Sequence, residues 1–277
     1  MAVTPLWQKS RTLPDPRAAH PRGHTRLWHW VIDPRRAPRE ARALHALEDA
    51  REIFPLLAGT PLADLQASGP LWVQVPGDGP GFDACMALAE RARGGWCFLP
   101  ETDVFETLLA QLQGLLILPD PLGGESALHI EDPATISALL MAATERERAA
   151  FTGPLGELVT PTPHGAWRHW FPSEAEPSPR RALTRTLHAA LNDAHRRWWL
   201  AERQALELDD ISDDALGRLS RLNASGITQR RHLMRLMPLI IDDRPWTSAV
   251  EAVLDGPQPG WQKVQALAER LDNVTQD

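Results

Sequence analysis

One change of pattern constrains the fold more than anything else in this chain. From Arg26 to about Pro161, short apolar runs alternate with segments of helical spacing, and beyond residue 180 the strand signal stops. LWHWVID (27–33), PLWVQVP (70–76), WCFLP (96–100), LLILP (115–119) and ALHIED (127–132) have the length and the β-branched or aromatic content of strands. Between them, 37–53, 81–93, 102–113 and 132–143 carry apolar residues three and four apart, as helices do. Such alternation predicts an α/β N-terminal lobe, an about five-stranded sheet with helices packed on it. The remainder predicts an all-α C-terminal lobe, with Ser212 as one helix N-cap and Gly226 as a stop. The expected organisation is a flexible arm over 1–25, an α/β domain over 26–162, a Pro-, Gly- and Ser-rich linker over 163–180, and a helical lobe over 181–277.

Composition narrows the function classes. The formal net charge is -7, against the basic surface that generic nucleic-acid binding needs. No window approaches the roughly 20 apolar residues of a membrane span, and the N-terminal segment lacks an apolar run of signal-peptide length. A cytoplasmic protein is expected, with neither nucleic acid nor membrane as partner. Cys85 and Cys97 are too few for a disulfide framework or a four-ligand zinc site, and read as buried small apolar residues.

No motif for chemistry is present: the chain lacks a nucleophile elbow, a P-loop and an H-E-x-x-H pair. Gly77, Gly79 and Gly81 make a loop rather than a phosphate cradle, since Pro80 between the last two has no N–H to donate. No catalytic residue, cofactor or metal is therefore expected. Cys85, Cys97 and His129 are the residues that could form a thiol–imidazole pair, and Glu131 and Asp132 lie at a predicted strand end. Asp132 before Pro133 also reads as a plain helix N-cap. A hydrolase-like enzyme with its site near 129–133 stays open on these grounds.

The aromatic residues point elsewhere. Eleven of the 17 aromatics are Trp, and 27 of the 29 basic residues are Arg. Trp and Arg are enriched in interface hot spots. Trp28 and Trp30 share one face of a strand and belong in a core. Trp167 and Trp170 lie in the expected linker beside Arg168 and His169. Trp198 and Trp199 are adjacent in a helix and point about 100° apart. Either both pack, or one stays available beside Arg196 and Arg197. Trp167, Trp170, Trp198, Trp199, Arg196 and Arg197 are thus the candidate partner-binding residues.

Four segments resemble the adaptor/chaperone family of bacterial type VI secretion, defined by domain of unknown function 4123: WVIDPRRAP (30–38), FPLLAGTPLADLQASGPLWVQV (54–75), GGWCFLPETDVFETLLAQLQGLLIL (94–118) and HIEDPATISALLMAATERERAAFTGPLGELV (129–159). The resemblance spans about 27–161. It implies a non-enzymatic adaptor that binds a cognate toxic effector in the cytoplasm and helps mount it on the spike of VgrG and PAAR-type proteins. One departure stands out: where the family's segment has Arg, an aromatic and Arg around the Asp-Pro pair, this chain has His129, Glu131 and Ala134. An immunity-like toxin-binding protein is the further alternative.

Overall fold

The computed structural model describes residues 9–20, 26–91, 93–242 and 245–274. The chain divides into two compact units, 1–198 and 199–277.

The first unit is organised by β2 (Leu27–Ile32), the run LWHWVI, which pairs with β4 (Leu71–Pro76) on one side and β5 (Gly95–Leu99) on the other. Around it lies a seven-stranded sheet in the order β1-β9-β8-β5-β2-β4-β3, antiparallel at every pairing. The added strands are β1 (Ser10–Leu13), β3 (Glu52–Pro55), β8 (Glu157–Pro161) and β9 (Trp167–Trp170). Three of the five expected strands fall in this sheet. The fourth shortens to β6 (Ile117–Pro119), which pairs with β7 (Glu125–Ala127) in a separate two-stranded ribbon, and the strand expected over 127–132 does not form beyond Ala127.

Both faces of the sheet are buried, so successive residues of β2 enter different cores. Trp28, Trp30 and Ile32 pack with Val73, Val75, Cys97, Val159 and Trp167 under Phe82, Cys85 and Leu88 of α2 (Pro80–Glu90). On the opposite face Val31, Trp72, Trp96, Phe98, Leu158 and Trp170 pack against α3 (Phe105–Gln113), α4 (Pro133–Ala142) and α5 (Glu145–Thr152). The helix expected over 37–53 is cut to α1 (Pro38–Ala43) and a 3-10 turn, because 52–55 joins the sheet edge instead.

Two expectations about chain organisation need correction. The described part of the N-terminal arm is docked: Ser10–Leu13 pair with β9, and Asp15 caps a 3-10 turn over Pro16–Ala19. Arg17 lies over the Phe82 ring at 4.0 Å and donates to the Gly77 carbonyl. Residues 1–8 and 21–25 of that arm lie outside the described residues. The expected linker contains β9. Its Pro- and Gly-rich start is a hairpin turn, closed by Thr162 N–H to Ala166 O at 2.7 Å, with Gly165 at φ 86°. The unit boundary falls instead inside α6 (Arg185–Gln204).

The tryptophan indoles show how strictly this core is specified. Trp72, Trp96 and Trp170 donate to His29 Nδ1, Ile130 O and Thr160 Oγ1 respectively. Trp30 Nε1 is buried without a hydrogen-bond partner. Trp96→Phe strands a buried carbonyl, whereas Trp30→Phe removes an already unsatisfied donor. Trp96→Phe is therefore expected to cost about 1–3 kcal/mol more than Trp30→Phe, read by denaturant unfolding.

The second unit contains the last residues of α6 and then α7 (Asp213–Ala224), α8 (Arg230–Arg235), α9 (Met237–Ile241), α10 (Ser248–Asp255) and α11 (Gly260–Val274). Ser212 Oγ accepts from Ala215 N–H, and Gly226 adopts φ 89° after α7, both as the sequence predicts. Pro238, at the start of α9, breaks the single helix expected over 228–241.

Both lysines of this Arg-rich chain are buried and bind backbone carbonyls near helix C-termini. Lys9 Nζ donates to Met141 O and Ala143 O at 3.3 and 2.8 Å, and burial holds its pKa below the ordinary value. Lys263 Nζ donates to Leu254 O and Ser225 O at 2.7 and 3.2 Å. A compact ammonium with rotatable donors suits these positions better than a planar guanidinium.

Candidate functional site

The largest polar cluster of the first unit forms where β2 ends. Asp33 follows the strand, and its carboxylate accepts from the Arg35 backbone N–H at 2.9 Å, closing a tight turn. The Arg35 side chain folds back to grip the same carboxylate at 2.8 and 3.0 Å. Its Nη2 also reaches Glu131 Oε1 at 2.5 Å. Pro38 then starts α1, carrying the chain away.

Glu131 and Asp132 come from the loop before α4. Asp132 Oδ1 accepts from Ala134 N–H at 2.9 Å and so caps the helix, with Pro133 in its first turn. Its other oxygen faces Arg36, Arg93 and His195 at 3.7, 3.8 and 3.7 Å. Arg93 has a left-handed backbone, φ 65°, which costs a non-glycine residue about 1–2 kcal/mol. That turn lets its Nη1 donate to His195 Nδ1 at 2.8 Å. His195 arrives from α6, and burial lowers its pKa against the opposing pull of Asp132.

Asp33, Glu131 and Asp132 are all at least 96% buried, while the arginines are partly exposed. Burial raises the Glu131 pKa, opposed by His129 and Arg35. The network ties four segments together: the β2 end, the loop before β5, the α4 start and α6. His129 and Glu131 bond to each other at 3.1 Å.

Glu131 makes stability pH-dependent. Its folded pKa lies above the ordinary 4.5, so the folded state holds more protons than the unfolded state between those values. Its contribution falls as pH rises from 4.5 through the raised pKa. Glu131→Gln is expected to remove that downward slope from a series of unfolding curves.

The residues singled out from sequence scatter. Trp167 and Trp170 are 0% and 1% exposed, on opposite faces of the sheet, so neither is a surface anchor. Trp198 is also buried. Trp199, Arg196 and Arg197 are half-buried, and Arg196 pairs with Asp193 at 2.5 Å. Sequence reasoning missed Trp261, the most exposed of the described tryptophans, 58% exposed on α11. Its place in the pattern GWQKVQALAERL, outside the Val264–Leu267–Ala268 core stripe, is the signal that pointed to it. Cys85 and Cys97 are buried with thiol pKa values pushed up by burial, while the His129 side chain is 68% exposed and paired with Glu131. No thiol–imidazole pair forms.

Among the described residues, no group of three or more His, Cys, Asp or Glu is arranged to hold a metal ion. None of their helices is long and apolar enough to cross a membrane.

A family model described as domain of unknown function (DUF4123) matches residues 28–150. The match runs from β2 to α5 and contains the Asp33, Arg93 and Asp132 corners of the cluster. No curated protein and no solved structure matches the chain.

Proposed function

We propose that this protein is a non-enzymatic adaptor that binds a cognate type VI secretion effector in the cytoplasm and helps load it onto the VgrG/PAAR spike. The observation that carries this reading is the DUF4123 match over 28–150, joined to the four segments that resemble the adaptor family. The polar cluster is compatible with it. Each buried carboxylate is engaged by arginine, imidazole or backbone N–H, a pattern suited to fixing segments in place.

Effector binding on this reading buries a standard interface of about 1,200–2,000 Å². Arg196, Arg197, Trp199 and the exposed Trp261 are its aromatic and cationic contributors. Co-purification with a toxic effector of the type VI apparatus in the same bacterium tests the reading. A stable complex is expected, and Trp261→Ala together with Arg197→Ala is expected to weaken capture by about 2–4 kcal/mol. Failure of the wild type to retain that toxin, or any spike protein, contradicts it. Retention with complete block of the toxin's activity favours the immunity-like reading instead.

A further inference from the structure

A cavity of 370 Å³ opens on the first unit, away from the charged cluster. Its volume lies in the range of small-ligand pockets, about 300–1,000 Å³. Arg26, His29, Arg51, Gln74, Leu99 and Asp103 contribute to its walls. The sheet explains how they meet. His29 of β2 stands directly opposite Gln74 of β4, and Arg51 lies beside that same residue through its backbone N–H to Gln74 O at 2.9 Å. Asp103 comes from the segment just before α3.

His29 is 3% exposed, and its Nδ1 accepts from Trp72 Nε1 at 3.1 Å. A tryptophan N–H only donates, so the neutral ring carries its proton on Nε2. Burial lowers the His29 pKa to about 4 against the pull of Asp103, which keeps the ring neutral near pH 7. The cavity therefore has a fixed imidazole N–H donor in its wall. Neither Arg26, Arg51 nor the Gln74 side chain has a partner among the described residues. A buried imidazole, an amide and two guanidiniums around one space make a donor-rich wall, with Asp103 as its one charged acceptor.

We propose that this cavity binds a carboxylate group, gripped by Arg26 and Arg51 and oriented by the Gln74 amide and the His29 Nε2–H. Two arginines and Asp103 leave one net positive charge, which matches a single carboxylate. A phosphate carries about -1.5 to -2 and meets Asp103 with repulsion. Guanidinium also fits carboxylate with two parallel hydrogen bonds. The carboxylate belongs either to a small acid or to an acidic side chain of a polypeptide.

The full-length chain titrated with propionate, and separately with a blocked glycine–glutamate–glycine tripeptide, decides the matter while the His29 ring resonances are followed by NMR. A saturable shift of His29 is expected with at least one probe. The Arg26→Gln/Arg51→Gln double variant is expected to bind about tenfold more weakly or worse. Both arginines are exposed, so an unchanged unfolding midpoint checks that the variant is folded, and Arg51→Gln alone serves as a second reading. Tighter binding of propionate assigns the site to a small acid, and tighter binding of the tripeptide assigns it to a polypeptide. No saturable shift with either probe, an affinity unchanged in both variants, or tighter binding of inorganic phosphate overturns the proposal.

Discussion

Acidification from pH 7 to pH 4 is expected to cost this protein about 3 kcal/mol of stability through His29 alone. The sign follows from the direction of the shift. His29 has a folded pKa of about 4 against an ordinary value of 6.5. As pH falls, the unfolded chain takes up the proton first, so the contribution is present above pH 6.5 and is lost progressively toward pH 4. The cause is burial between Trp72 and Phe98, whose ring centroids lie 5.6 and 5.0 Å from the imidazole. Asp103 pulls the other way. His29→Asn tests this by its slope rather than its absolute stability. Denaturant midpoints measured from pH 7 to pH 4 are expected to fall less steeply in the variant. Parallel curves for variant and wild type contradict the assignment. Glu131 contributes a slope of opposite sign above pH 4.5, which Glu131→Gln removes separately.

The second large effect concerns the tryptophans of β9. Trp167→Ala or Trp170→Ala is expected to destabilise the fold by about 3–5 kcal/mol, because each leaves a cavity in a closed core. Trp170→Ala also removes the 2.9 Å indole N–H bond to Thr160 Oγ1, leaving that oxygen only its 3.4 Å contact with Ser137 Oγ. Trp261→Ala is expected to change stability by no more than about 0.5 kcal/mol, since the side chain is 58% exposed. Chemical denaturation of the three variants separates the two classes. Equal stability of Trp170→Ala and wild type contradicts the placement of β9 inside the sheet.

These tryptophans also show where sequence reading stops. Residues three apart in a strand point to opposite faces, and that spacing fits β9 because both faces of this sheet are covered. From sequence, the flanking Pro and Gly residues made the same segment a linker. The edge strands β1 and β3 escaped for a related reason. Each is only four residues long, SRTL and EIFP, so they carry too little alternation to register. The central strands β2, β4 and β5 were legible because burial on both faces leaves dense apolar runs. Helix ends governed by local chemistry, at Asp132, Ser212 and Gly226, were legible too.

The polar cluster was legible in part. Asp33 and Asp132 stand in segments that resemble the family, and Arg35 and Arg36 lie within the first of them. Their meeting is a long-range event: Arg35 and Glu131 are 96 residues apart in the chain. No spacing rule brings Arg93 and His195 to Asp132, because sheet order and the path of α6 decide that encounter.

Delivery of the toxin that co-purifies with this protein, compared between a wild-type bacterium and one lacking the gene, tests the adaptor reading most directly. The account predicts that delivery of that toxin is lost without this protein and restored by its re-expression, while other cargo of the same apparatus is still delivered. Undiminished delivery of that toxin in the deletion strain contradicts it.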